Sequence, residues 1–117
     1  MSRQVAAKTT ATILSSAART ATGQSGAFSV GNGDSLAVLV DVTAVSGTTP
    51  SMTVNVEWSH DGSSWFVGDT ADAFTAITAA RKATKRFEVK GLYARLNYTV
   101  SGTTPSFTFA AHAVTGS

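Results

Sequence analysis

In several runs between Leu36 and Phe109, large apolar side chains fall on every second residue. Leu36-Ala37-Val38-Leu39-Val40-Asp41-Val42 begins the pattern, and Met52, Val54, Val56 and Trp58 then alternate with Thr53, Asn55 and Glu57. Later Leu92, Ala94, Leu96 and Tyr98 alternate with Tyr93, Arg95, Asn97 and Thr99, and Phe107 and Phe109 follow. A period of two is the signature of strands with one buried face. Each of these two stretches is interrupted by the same words. Val45-Ser46-Gly47-Thr48-Thr49-Pro50-Ser51-Met52-Thr53-Val54 returns as Val100-Ser101-Gly102-Thr103-Thr104-Pro105-Ser106-Phe107-Thr108-Phe109. Glycine supplies a positive φ, while proline fixes its own φ and pushes the residue before it towards an extended conformation. The pattern therefore predicts two matching hairpins, each reversing at Ser-Gly-Thr-Thr-Pro.

Weaker signals fill in the rest. Asp61-Gly62 is a tight-turn dipeptide between Trp58 and Trp65-Phe66-Val67. Residues 84–90 alternate again, and Ala27-Phe28-Ser29-Val30 is a short strand running into Gly31-Asn32-Gly33-Asp34. Residues 70–83 fit either an Ala-rich helix or a strand around Phe74-Thr75-Ala76-Ile77-Thr78, and the strand is favoured. Residues 1–24 hold only Val5, Ile13 and Leu14 as large aliphatics among Ala, Thr and Ser. They read as an extended arm with one strand near 9–15, of the kind that becomes ordered on a neighbouring chain. Roughly eight short strands with turns between them predict an all-β fold, an antiparallel β-sandwich of jelly-roll or Ig-like Greek-key type. The expected division is an arm at 1–24 and one sandwich domain at 25–117. Trp58, Trp65, Phe66, Phe87, Leu96, Phe107 and Phe109 are its expected core.

Composition sharpens this in one respect. The 117 residues include 19 Ala, 18 Thr, 14 Ser and 10 Gly, which leaves few bulky side chains for a core. A chain this long buries roughly two-thirds of its unfolded surface, so neighbours are expected to supply part of the stability. There is no cysteine, hence no disulfide or thiolate metal site. No apolar run suits a signal peptide or a membrane span, so synthesis in a cytosol without membrane association is expected. The net charge of +2 conceals segregation. Residues 34–80 carry Asp34, Asp41, Glu57, Asp61, Asp69 and Asp72 with no base, whereas 81–95 carry Arg81, Lys82, Lys85, Arg86, Lys90 and Arg95 against Glu88 alone.

Candidate chemistry is sparse. His60 and His112 are the only histidines, and neither sits in HExxH or EF-hand spacing, so no metal site is assigned. No GxSxG elbow accompanies the serines, and Gly31-Asn32-Gly33-Asp34 is not a dinucleotide fingerprint. No catalytic residue or cofactor is therefore assigned. Ser59-x-Asp61-Gly62-x-x-Trp65 resembles the Asp-box turn of sialidase-like propellers with one residue missing; a turn whose Trp plugs the core is the preferred reading, and sugar binding the alternative. The basic cluster has few aromatics among it, so direct nucleic-acid binding is not expected. Solvated faces, or pairing with the acidic stretch of the same or a neighbouring subunit, explain it better.

The paired Gly-Thr-Thr-Pro segments, the Ser-x-Asp-Gly-x-x-Trp turn and Leu92-Tyr93-Ala94-Arg95-Leu96 running on to Phe109 together resemble small β-sandwich virion proteins of tailed double-stranded DNA bacteriophages, over residues 36–113. The resemblance implies a non-enzymatic head decoration, or cement, protein on the outer surface of the virion capsid. Its partners would be the major capsid protein and further copies of itself, as dimer or trimer. The residues expected to dock are Arg3, Val5, Lys8, Ile13 and Leu14 of the arm, with Arg81, Lys82, Lys85 and Arg86 as charged groups. A virion-displayed carbohydrate or host-surface binding module and a tail or neck component are the alternatives.

Overall fold

A computed structural model describes residues 9–30, 35–68 and 72–116. Seven strands form one antiparallel sheet: β1 (Thr9–Arg19), β2 (Gly23–Gln24), β3 (Phe28–Ser29), β4 (Ser35–Ser59), β5 (Phe66–Val67), β6 (Arg81–Glu88) and β7 (Tyr93–Gly116). The all-β, antiparallel expectation holds, and the sheet is consistent with a β-sandwich. Its backbone is a two-stranded ribbon, since β4 and β7 pair from Ser35 opposite Gly116 to Ser59 opposite Tyr93.

The two expected hairpins are not hairpins. Neither Ser-Gly-Thr-Thr-Pro segment reverses the chain; the two lie opposite each other, with Thr48 paired to Thr103 between the flanking pairs Ser46–Ser106 and Ser51–Ser101. The sequence echo is thus a local two-fold relation centred on Thr48 and Thr103. Gly47 and Gly102 have φ of 112° and 119°, and Thr49 and Thr104, expected to be extended before proline, have φ of 48° and 46°. Positive φ is costly for a β-branched residue. Each threonine hydroxyl donates to the carbonyl of the residue before it at 2.8 Å. A Cβ on Gly47 would come within 2.7 Å of the Thr104 carbonyl oxygen, and one on Gly102 within 2.8 Å of that of Thr49. Pro50 and Pro105 fall between paired positions, where a missing N–H forfeits no ladder bond. The motif makes a corner in a continuous ribbon, with pairing resumed on both sides.

The corner divides the ribbon into two wings. The first wing holds residues 35–46 of β4 and 106–116 of β7, flanked by β6 on one side and β1 on the other. The second wing holds residues 51–59 and 93–101, flanked by β5 and by the short β2 and β3. Inward positions alternate as expected: Leu36, Val38, Val40 and Val42 and then Met52, Val54, Val56 and Trp58 are buried in a single cluster with Leu96, Phe107 and Phe109. The inner faces meet across it. Tyr98 of the second wing packs edge-on against Phe109 of the first at 5.3 Å, and Phe74 packs against Phe87 of β6 at 5.9 Å.

One expectation is qualified and two are revised. Phe74 and Ile77 are buried in an extended segment that bonds to β4 through Phe74 N–H to Val54 O and reciprocal Met52–Ile77 bonds. The strand-like reading of this stretch holds, although its pairing amounts to isolated bridges at Ala73 and Ile77. Trp65 is only half-buried and Phe66 is 57% exposed, so neither belongs to the core. Both follow the Asp61 turn at the end of the second wing, beyond the reach of the first wing's inner face. Finally, the segment 9–29 lies along the chain's own β7, with β1 facing residues 107–115, β2 facing 97–98 and β3 facing 93–94. The strand expected near 9–15 extends to Arg19.

Candidate functional site

Two outer faces and one turn are what the fold offers for interaction. On the first wing the outward residues form cross-strand rows. One reads Thr10, Val114, Ala37, Arg86; the next Thr12, His112, Leu39, Thr84; a third Ala110, Asp41, Lys82. Ala37, Leu39, Ala110 and Val114 make most of the middle apolar, with His112 and Asp41 among them, and Leu39 at its centre is 39% exposed. A shallow depression of about 330 Å³ is bounded by Leu39, Asp41, Lys82, Thr84 and His112. His112 sits within 3.2 Å of the Thr12 hydroxyl, which ties β1 to the face.

The wing's edges differ. β6 carries Arg81, Lys82, Lys85 and Arg86, charges of the kind that keep a free edge from pairing with other strands. From Thr9 to Ala18 β1 carries none. It is irregular, with register shifts between Thr12 and Leu14 and between Leu14 and Ala17, and Ile13 and Leu14 are its half-buried contacts with the core. Arg19 fastens its end. The guanidinium donates to the carbonyls of Phe109 at 2.7 Å, Ser15 at 2.8 Å and Ala17 at 3.1 Å, and lies 4.5 Å from the Phe109 ring centre and 5.8 Å from that of Tyr98. Nothing in the local sequence singles out this arginine; its role depends on two aromatic rings about 80–90 residues away.

The residues expected to dock are therefore scattered. Arg3, Val5 and Lys8 lie outside the described residues. Ile13 and Leu14 pack on the chain's own core. Lys82 pairs with Asp41 at 3.0 Å, and Lys85 donates to the Ala73 carbonyl at 2.7 Å. Arg81 and Arg86 are exposed, with no ion pair to a described residue. The segregated charge is largely absorbed within the chain: Arg95 pairs with Glu57 at 2.7 Å and Lys90 with buried Asp72 at 3.0 Å. Asp72 also accepts the Trp58 indole N–H at 3.0 Å, which satisfies the polar end of a core tryptophan.

On the second wing the outer face is polar. Glu57 and Arg95 face each other with side chains only 12% and 21% exposed, and the Arg95 guanidinium lies 4.5 Å from the Trp65 ring centre. Trp65 thus covers an ion pair where a core plug was expected. The turn that presents it is built by Ser59 and Asp61. The Ser59 hydroxyl oxygen accepts the N–H of Gly62 at 2.8 Å and of Asp61 at 3.2 Å, and Asp61 Oδ1 accepts the N–H of Ser63 at 2.8 Å and of Ser64 at 2.9 Å. The Ser64 and Ser63 backbone donors, aided by Ser59 and His60, hold the Asp61 carboxyl at a pKa of about 2, below its usual 3.8. Gly62 has φ of 82°, as this tight turn requires. Among the described residues no three His, Cys, Asp or Glu side chains gather as a metal site.

A bent antiparallel ribbon with both edges lined by shorter strands is an architecture with known counterparts. No protein-family model matches the sequence, and no curated protein matches it. Among solved structures, the PBSX exported protein XepA is similar over 93% of this chain, with a TM-score of 0.65 at 14% identity; the chain spans 37% of XepA's length. The SPBc2 prophage-derived protein YomS is similar over 97% of this chain and 98% of its own, with a TM-score of 0.53 at 18% identity. A protein of the Bacillus endospore appendages, described as a family of disulfide-linked pili, is similar over 99% of this chain and 91% of its own, with a TM-score of 0.51 at 7% identity. At these identities fold is what is shared. The present chain has no cysteine with which to link as those pili do.

Proposed function

We propose that this chain is a non-enzymatic structural protein of a phage-derived particle, and in finer terms a head decoration protein that docks on the outer surface of a capsid lattice through its first wing. The observation that carries this reading is the first wing's outer face. It presents Ala37, Ala110 and Val114 around exposed Leu39, bordered on one side by the uncharged stretch 9–18 of β1 and on the other by exposed Arg86 and the Lys82–Asp41 pair. Contiguous apolar surface with a polar rim marks interaction sites, and rim charges orient a partner more than they hold it. The prophage derivation of YomS, whose fold the chain shares over nearly its whole length, supports the particle assignment.

The mechanism is additive. Each copy buries modest area against the lattice and its neighbours, and a symmetric shell multiplies that contact many times. Particles lacking the protein should lose their genome at lower temperature, and particles supplied with it should carry hundreds of copies, a number set by the lattice. Undiminished heat resistance of the depleted particles would refute the cement role. A copy number of about a dozen would instead assign the protein to the tail or neck.

A further inference from the structure

The second wing's outer face carries a feature that neither the fold nor lattice docking accounts for. Asn55 and Asn97 are directly opposed on the two central strands, and Gln24 is opposed to Asn97 on β2, so three amides stand in one row across three strands. Asparagine is disfavoured in strands, and here two occupy the middle of a sheet, where edge protection is not the reason. All three side chains are at least partly exposed and make no hydrogen bond with a described residue. The row is bordered by Thr53 opposite Thr99 on one side and by Arg95, Glu57 and exposed Val67 on the other, with Trp65 over Arg95.

From this arrangement we infer that the second wing's outer face binds an uncharged polysaccharide. An amide donates and accepts at once, and so matches a sugar hydroxyl, which does the same. Neighbouring strands stand about 4.8 Å apart, so successive amides are spaced on the scale of one sugar ring. The row runs across three strands on an outer sheet face, which suits a polymer lying along it better than a small molecule needing enclosure. Its one acid and one base already neutralise each other at 2.7 Å, leaving no net charge to recruit a polyanion or polycation. Trp65 and Val67 supply apolar surface at the border for the C–H faces of the sugar. The Asp61 turn holds Trp65 in place, which gives the sugar-binding alternative a specific location.

The test uses the whole chain in affinity electrophoresis against soluble polymers of glucose, mannose, galactose and N-acetylglucosamine, with polyglutamate as the charged comparison. At least one neutral polymer should retard the protein. Asn55→Val/Asn97→Val should weaken that binding at least about tenfold, as loss of several hydrogen bonds implies. Valine is favoured in strands, so the double variant should melt at or above the parent's temperature, which separates lost binding from lost folding. Retardation by none of the neutral polymers, retardation by polyglutamate alone, or parental binding by the folded double variant would each overturn the inference. None of these outcomes bears on lattice docking, which is assigned to the other wing.

Discussion

The two wings are built from the same two strands, divided by the same repeated motif, and yet their outer faces are opposites. Opposite Leu39 on the first wing stands His112, with Ala37, Ala110 and Val114 around them and Asp41 as the one acid; at the equivalent depth on the second wing stand Asn55, Asn97, Glu57 and Arg95. The inner faces do not differ in this way, because both must fill one core and both are apolar at every second residue. An echo in sequence therefore preserves what the shared core demands and leaves the solvent side free to diverge. The proposed division of labour follows: the apolar face docks and the polar face stays outward.

The largest effect should come from the corner that separates the wings. Gly47→Ala and Gly102→Ala each force a side chain into a positive φ and against a backbone carbonyl. Each should cost about 2 kcal/mol or more in chemical denaturation, while Gly26→Ala, which would meet nothing within 4 Å, should be nearly silent. Equal effects at all three would mean the corner is not strained as described. Next comes the fastening of β1. Arg19→Ala removes three carbonyl hydrogen bonds and the contacts with Phe109 and Tyr98, an expected loss of about 1–3 kcal/mol. Hydrogen exchange should then quicken in β1 while the second wing keeps its protection.

The smallest effect belongs to the Asp61 turn, which only the second wing possesses. Its folded-state pKa of about 2 lies below the usual 3.8, so the turn is favoured while the carboxyl is ionised. That contribution is complete above about pH 4 and is lost as pH falls towards about 2. The Ser63 and Ser64 amide resonances should titrate with a midpoint near 2, and Asp61→Asn should abolish the titration. A midpoint near the ordinary 3.8 would show that the two amides do not hold the carboxyl.

Strand content and the core were readable because alternation survives without knowledge of partners, as Leu36 to Val42 and Met52 to Trp58 demonstrate. What alternation cannot give is which way a Gly-Pro segment turns the chain. Ser-Gly-Thr-Thr-Pro suits a reversal as well as a corner, and only the pairing of Thr48 with Thr103 decides between them. The clue was the echo itself: two identical breaks in two paired strands can meet, and then each braces the other. The sequence alone puts Trp65 in the core because its partner, Arg95, is thirty residues away. The amide row was invisible for the same reason, since Gln24, Asn55 and Asn97 become neighbours only once three strands are in register.

The central claim is that the first wing faces the lattice, and Leu39→Glu tests it most directly. The side chain is 39% exposed on the outer face, so a charge there should leave folding intact while opposing burial against a partner. Purified particles assembled with the variant, matched to the parent in melting temperature, should carry few or no copies per capsid, whereas Asn55→Val/Asn97→Val should be incorporated fully. Incorporation of the folded Leu39→Glu protein at the parental copy number would contradict the claim.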